Sequence, residues 1–134
     1  MPRFTVFRAN RSDLDRLRGA VAHAHRLAES DGVGLTYFVP AIGHLGSSDL
    51  AAALPGDMLQ RLLKRTLVLG NGHPVRLVSA ITSRFERGVI LALWTAPERM
   101  VELEGCTHVR DVVVLTNDID ELDEWIAANE SAMA

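Results

Sequence analysis

The last third of the chain constrains the fold most, because it alternates two apolar strands with two helices. Val89–Trp94 and Val112–Leu115 are apolar almost without interruption, and helices are predicted after them at Pro97–Glu104 and Ile119–Asn129. A strand that is apolar on both faces must be covered on both, which is typical of parallel strands joined by helical crossovers. The tail therefore predicts an α/β fold with a parallel strand pair.

The first forty residues repeat this order. Thr5–Arg8 predicts a first strand, and Ser12 is a suitable N-cap for the helix after it. The helix carries an apolar stripe at steps of three and four residues, made of Leu14, Leu17, Val21, Ala24 and Ala28. Asp31-Gly32 ends that helix, and Val33–Val39 is predicted to be the second strand.

The middle of the chain leaves one boundary open. A helix is predicted to begin near Pro55, where the missing amide of proline is tolerated. Its favoured end is Gly70, which would serve as the C-terminal cap. The alternative is that Thr66–Leu69 forms a strand that enters a hairpin at Asn71-Gly72.

A third strand is predicted at Val75–Thr82. Only Ser83–Gly88 then separates it from Val89–Trp94, and a parallel crossover needs about a dozen residues. Those two strands are therefore expected to be antiparallel if they are neighbours. Residues 1–134 are predicted to form one three-layer α/β/α domain with a Rossmann-like, mostly parallel sheet of about five strands and one antiparallel pair, and residues 130–134 are expected to fray.

Composition excludes several classes of protein. The 134 residues suit one domain, and no apolar run approaches the about 18 residues of a membrane helix. A single cysteine rules out a disulfide framework, so we expect a cytoplasmic protein without membrane association. A sequence pI of 5.9 disfavours nucleic acid as a partner.

Charge is distributed unevenly along the chain. Residues 1–95 carry 12 basic and 7 acidic side chains, whereas residues 96–134 carry 2 basic and 10 acidic ones. One interpretation is a dipolar surface that pairs with a second copy or holds an acidic ligand. The favoured interpretation is a biased composition with one acidic, solvated helix face.

Ligands of parallel sheets bind at the carboxyl ends of the strands. Polar residues follow the predicted strands, and the candidate ligand-binding residues are Arg8, Arg11, Gly43, His44, Gly46, Ser47, Ser48, Arg99 and Asn117. The Gly43–Asp49 loop is the best of these, since its glycines let backbone amides approach an anion. It matches neither a phosphate loop with its lysine nor a dinucleotide fingerprint, so a plain glycine-rich surface loop is the favoured interpretation and phosphate binding the alternative. Similar residues also serve as ordinary helix caps.

Other motifs fail on spacing, so neither a metal nor a cofactor is predicted. His23 and His25 are two residues apart on a helix and cannot share an ion. Cys106 and His108 precede a strand at its amino end, away from the expected site, and Cys106 suits a buried apolar position. The acidic run after Asn117 lacks the glycine of a calcium loop and is predicted to be a capped helix.

Two functional hypotheses remain. The first is a small binding or interaction module without catalytic activity that acts as a homodimer, because no catalytic signature is intact and free sheet edges favour pairing. The alternative is an enzyme or sensor for a small anionic ligand, such as a nucleotide or phosphorylated metabolite, with Arg8, Arg11 or Arg99 as the counter-charge.

Overall fold

The computed structural model describes residues 2–8, 14–40, 53–54, 56–82, 84–95, 97–116 and 122–129. Their elements are β1 (Arg3–Arg8), α1 (Leu14–Asp31), β2 (Leu35–Phe38), α2 (Met58–Leu63), β3 (Val75–Val78), β4 (Gly88–Leu93), α3 (Pro97–Glu104), β5 (Val109–Thr116) and α4 (Asp123–Ala128). The predicted α/β class is confirmed. Residues 130–134, for which fraying is predicted, lie outside the described ranges.

The five strands form one sheet in the order β1-β5-β4-β2-β3. Each neighbouring pair of strands is parallel. The predicted parallel pair at the end of the chain is present, with Ile90 of β4 opposite Val112 of β5. Its interior position explains the sequence, because β4 is buried along its whole length.

The predicted antiparallel pair is wrong. β3 ends at Val78, four residues earlier than predicted, and β2 lies between β3 and β4. To run from the end of β3 to the start of a parallel β4, the chain must go back by the length of a four-residue strand, about 13 Å. It must also cross the sheet by two strand spacings, about 10 Å. The nine residues between Val78 and Gly88 reach about 30 Å when extended, so they complete a parallel crossover without a helix. The buried Glu86 lies in this connection and pairs with Arg76 of β3 at 2.9 Å.

The favoured end of α2 is also wrong; of the hairpin alternative the structure shows a turn closed by a single antiparallel bridge, and Thr66–Leu69 does not form a strand. α2 stops at Leu63 because Arg65 adopts a left-handed conformation with φ 61°. The Thr66 amide donates to the Arg61 carbonyl at 2.9 Å, and the Arg65 amide donates to the Leu62 carbonyl at 3.2 Å. These two bonds form a Schellman motif, which glycine usually completes. The chain then turns back, and Val68 bridges Pro74 in antiparallel fashion.

Alternate residues of the strands contribute to two separate apolar clusters. In β4, Leu91 belongs to the cluster that contains the buried residues of α1, which we call the α1 face. Ile90 belongs to the cluster that contains Met100 and Leu103 of α3, which we call the α3 face. Because successive side chains of a strand point to opposite sides, the two clusters lie on opposite faces of the sheet. No helix within the described ranges is both long and apolar enough to cross a membrane.

Candidate functional site

β2 and β4 lie side by side, but the chain leaves them toward opposite faces of the sheet. After β2, Ala53, Leu54 and Leu62 pack on the α1 face. After β4, Met100 and Leu103 pack on the α3 face. Open α/β sheets bind ligands where the connections of two adjacent strands diverge in this way. We call this place the β2/β4 crevice, and we assign to it the residues that end or follow these two strands, Phe38, Trp94 and Thr95, together with Arg99 of α3 and its partner Ser79.

Arg99 is the predicted site residue that the structure places in this crevice. It lies in the first turn of α3, and its guanidinium carbon is 5.0 Å from the ring centroid of Phe38 at the end of β2. Its Nη1 donates to the carbonyl of Ser79, just after β3, at 3.0 Å. Within the described ranges no carboxylate forms an ion pair with Arg99. The charge is therefore held in one orientation without being neutralised by that part of the chain.

Trp94 has a left-handed backbone at the end of β4, with φ 51°. A bulky residue rarely adopts this conformation, which costs about 1–2 kcal/mol. The turn brings the half-buried indole onto the α1 face, and the following residue, Thr95, donates its amide to the Leu115 carbonyl at 3.1 Å. Sequence reasoning missed Trp94, because its apolar character predicts only a strand residue. Strained backbone of this kind is concentrated at functional sites.

Arg8, another predicted site residue, does not lie in the β2/β4 crevice. It ends β1, the edge strand beyond β5, and its Nη2 is 2.7 Å from Oδ1 of Asp123 in the first turn of α4. Two strands, β5 and β4, separate β1 from β2, so the structure does not bring Arg8 to Arg99. Two of the predicted counter-charges therefore belong to different places on the sheet.

The remaining predicted site residues lie outside the described ranges: Arg11, Gly43, His44, Gly46, Ser47, Ser48 and Asn117. Their place in the sequence still relates them to particular strands. Gly43 follows Phe38 of β2 by five residues, whereas Asn117 directly follows β5.

A second polar group missed by the sequence analysis joins α1 to β2. The Tyr37 hydroxyl, which is fully buried, lies 2.6 Å from Nε2 of His25. Burial lowers the pKa of His25, although the nearby Glu29 carboxylate opposes this shift, and burial raises the pKa of Tyr37. Both shifts favour the uncharged forms of the two side chains, so the contact is a hydrogen bond between neutral groups. Alternation in β2 indicates that Tyr37 faces a helix, but only the fold shows which helix.

Of the rejected motifs, the histidine pair and Cys106 have the structural roles predicted for them, whereas the helix predicted at Ile119–Asn129 is described only as Asp123–Ala128 and the start of its acidic run lies outside the described residues. The His23 ring packs on Phe7 while His25 meets Tyr37, so the two imidazoles have different neighbours. Cys106 is buried, with its thiol 3.5 Å from the Glu102 carbonyl. Among the described residues no three histidine, cysteine or acidic side chains are close enough to hold a metal ion.

Comparisons of the chain with protein-family models, with curated proteins and with solved structures gave no match.

Proposed function

We propose that this chain is a Rossmann-like, three-layer α/β/α module of the cytoplasm that binds a small phosphate-bearing metabolite in the β2/β4 crevice. The observation that carries this proposal is the guanidinium of Arg99 at the carboxyl ends of β2 and β3, which no carboxylate of the described residues neutralises. The single, buried cysteine supports a reducing compartment.

Arg99 is prepared for an anion by the contacts it already makes. The Phe38 ring lies 5.0 Å from the guanidinium carbon, and the Ser79 carbonyl uses one N–H of Nη1. Arginine has five N–H donors in a planar fork, and among the described residues only the Ser79 carbonyl accepts from one of them, which leaves four for a phosphate or carboxylate. Because the side chain is half-buried and already oriented, binding loses little further rotamer freedom.

The proposal is one of binding, since the described part of the crevice supplies no nucleophile with a base. Ser79 and Thr95 are its hydroxyl residues, and neither is hydrogen-bonded to a histidine within the described ranges. Nucleophilic catalysis needs such a pair within hydrogen-bond reach.

Isothermal titration with inorganic phosphate and ADP tests this function. We expect both anions to bind the wild-type protein, and Arg99→Ala to weaken binding by at least tenfold, about 1.4 kcal/mol. Arg87→Ala is the matched control, because Arg87 is an exposed arginine beside the first residue of β4, at the opposite end of the strand. Unchanged affinity in Arg99→Ala, or no binding of either anion, contradicts the proposal.

Self-association as a homodimer is a second candidate, and β1 is the edge that favours it. The outer edge of β3 is occupied, since the Val75 amide donates to the Leu67 carbonyl at 3.0 Å and Arg65 Nη1 donates to the Leu77 carbonyl at 3.0 Å. β1 is the other edge of the sheet and has six residues. None of the described residues pairs with its outer side, and an open edge of this length can pair with a second copy.

Sedimentation across a range of concentrations tests the dimer. A lysine on an edge strand opposes pairing, so Thr5→Lys should shift the equilibrium toward monomer. A wild-type protein that stays monomeric at every concentration would exclude the homodimer.

A further inference from the structure

Residues 67–75 form a turn along the outer edge of β3, which we call the edge turn. The Val75 amide donates to the Leu67 carbonyl at 3.0 Å, and the Leu69 amide donates to the His73 carbonyl at 2.9 Å. Leu67 and Leu69 are buried in the cluster of the α1 face. The edge turn therefore covers both the start of β3 and part of the core.

The side chain of Asn71 connects the edge turn to the end of α1. Its Nδ2 donates to the carbonyls of Ala28 and Val33, each at 3.3 Å, and its Oδ1 accepts from the His73 amide at 2.9 Å. Ala28 lies in the last turn of α1, where carbonyls lack donors within the helix. Asn71 thus supplies a donor to a helix end from a segment about forty residues away in the sequence.

A second contact between the same two segments lies beside the first. The Gly70 amide donates to Oε1 of Glu29, in the last turn of α1, at 2.9 Å. The edge turn is therefore held to α1 by hydrogen bonds from two successive residues, Gly70 and Asn71.

Asn71 is also followed by glycine, and this is the only Asn-Gly pair in the sequence. The backbone nitrogen after an asparagine can attack the side-chain amide, and glycine hinders that attack least because it has no side chain. A Cβ on Gly72 would meet nothing within 4 Å among the described residues, so the space beside this pair is open. In the folded protein, however, the Gly72 amide donates to the Leu69 carbonyl at 2.9 Å. The attack therefore requires the edge turn to open.

We propose that Asn71-Gly72 is a deamidation site and that its reaction releases the edge turn from α1. When the turn opens, the Gly72 nitrogen forms a bond to Cγ of Asn71 while the Cγ–Nδ2 bond breaks. The Gly72 amide proton passes to the departing nitrogen, which leaves as ammonia, and a cyclic imide remains. Water then opens the imide at either carbonyl carbon, so residue 71 becomes aspartate or isoaspartate.

The product cannot make the original contacts with α1. A carboxylate has no hydrogen to donate to the Ala28 and Val33 carbonyls, and it would face their oxygens instead. It would also lie at the negative end of the α1 dipole, where the last turn of the helix has no basic residue. Release is therefore one-way, and it does not depend on the function proposed above.

Peptide mass mapping of the full-length protein during incubation at mildly alkaline pH tests the reaction. We expect residue 71 to gain the mass of deamidation in the folded protein, at least about tenfold more slowly than in urea-unfolded protein, because the native turn must open first. Glu29→Ala removes the second contact and should speed deamidation of the folded protein without changing its rate in urea. Asp15→Ala is the matched control, since it removes an exposed carboxylate at the other end of the same helix.

Asn71→Asp reproduces one product and tests the release. Hydrogen exchange of the Val75 amide should be faster in Asn71→Asp than in Asn71→Ala, because both variants lose the donors but only aspartate adds repulsion. Four results would overturn the proposal: no deamidation of the folded protein, equal rates in folded and unfolded protein, no acceleration by Glu29→Ala, or Val75 exchange in Asn71→Asp as slow as in the wild-type protein.

Discussion

The Tyr37 hydroxyl and Nε2 of His25, 2.6 Å apart, connect the middle of β2 to the central part of α1. Tyr37 is fully buried, whereas His25 is half-buried. A buried hydroxyl needs a partner, because leaving it unsatisfied costs about 1–3 kcal/mol. The pair therefore ties α1 to the sheet at this point.

Replacing Tyr37 by phenylalanine should lower the free energy of unfolding by about 1 kcal/mol, the net value of one hydrogen bond. The ring and its apolar packing are kept, so the change isolates the hydroxyl. Urea unfolding measures it. In a His25→Phe background the same substitution should cost much less, because the partner nitrogen is absent. Equal costs in both backgrounds would show that the bond contributes nothing.

Acid should weaken the fold through His25. Its pKa is lowered below 6.5 in the folded protein, mainly by burial. The unfolded chain consequently binds more protons at mildly acidic pH, and the free energy of unfolding falls as the pH drops below about 6.5. His25→Gln should remove this part of the pH dependence, as measured by urea unfolding between neutral and mildly acidic pH. His108→Gln, which changes an exposed histidine, should preserve it.

Gly88→Ala should be far more destabilising than Gly32→Ala. Both glycines have positive φ, 81° and 66°, so each alanine costs about 1–2 kcal/mol of backbone strain. A Cβ on Gly88 would also stand 2.5 Å from the Gly34 carbonyl oxygen, whereas one on Gly32 meets nothing within 4 Å. That oxygen accepts the Val89 amide, so its displacement breaks a β2–β4 bond. The melting temperatures of the two variants, measured by thermal unfolding, test this difference. Similar melting temperatures would contradict the close approach of Gly88 to the Gly34 carbonyl.

Removing Arg76 should cost more stability than removing Arg61. Arg76→Ala leaves the carboxylate of Glu86, whose side chain is 4 % exposed, without its charged partner, a loss of about 1–3 kcal/mol. Arg61→Ala breaks a pair with the exposed Asp57, worth less than about 1 kcal/mol. Urea unfolding of both variants tests the difference. Equal losses of unfolding free energy in the two variants would show that the Arg76–Glu86 pair does not stabilise the β3–β4 connection.

The local pattern of apolar residues was sufficient to predict individual helices. The helix predicted at Pro97–Glu104 has those bounds in the structure, and the predicted stripe of α1 supplies the buried Leu17, Val21, Ala24 and Ala28. Both features depend on residues within a few turns of one another. When one side of a helix or strand is buried, apolar residues recur along the sequence with the period of that element. This periodicity can be recognised without knowing the rest of the fold.

The local residue pattern does not predict the order of the strands in the sheet. The error at Val75–Thr82 came from extending the strand through residues that turn away after Val78. With the strand too long and the connection too short, an antiparallel pair was the consistent inference. The insertion of β2 between β3 and β4 depends on pairing with residues 40 and 54 positions away, such as Val75 and Val89 opposite Leu35, and such distant pairing leaves no local period in the sequence.

The sequence by itself determined that the chain is an α/β protein, that its central strands are buried on both sides, and that Arg99 follows a strand end. Only the tertiary structure decided that Arg99 rests on Phe38, that Arg8 pairs with Asp123 instead, and that Tyr37 meets His25. The physical reason is that periodicity records how much of a residue is buried, whereas its neighbours are set by the packing of distant segments.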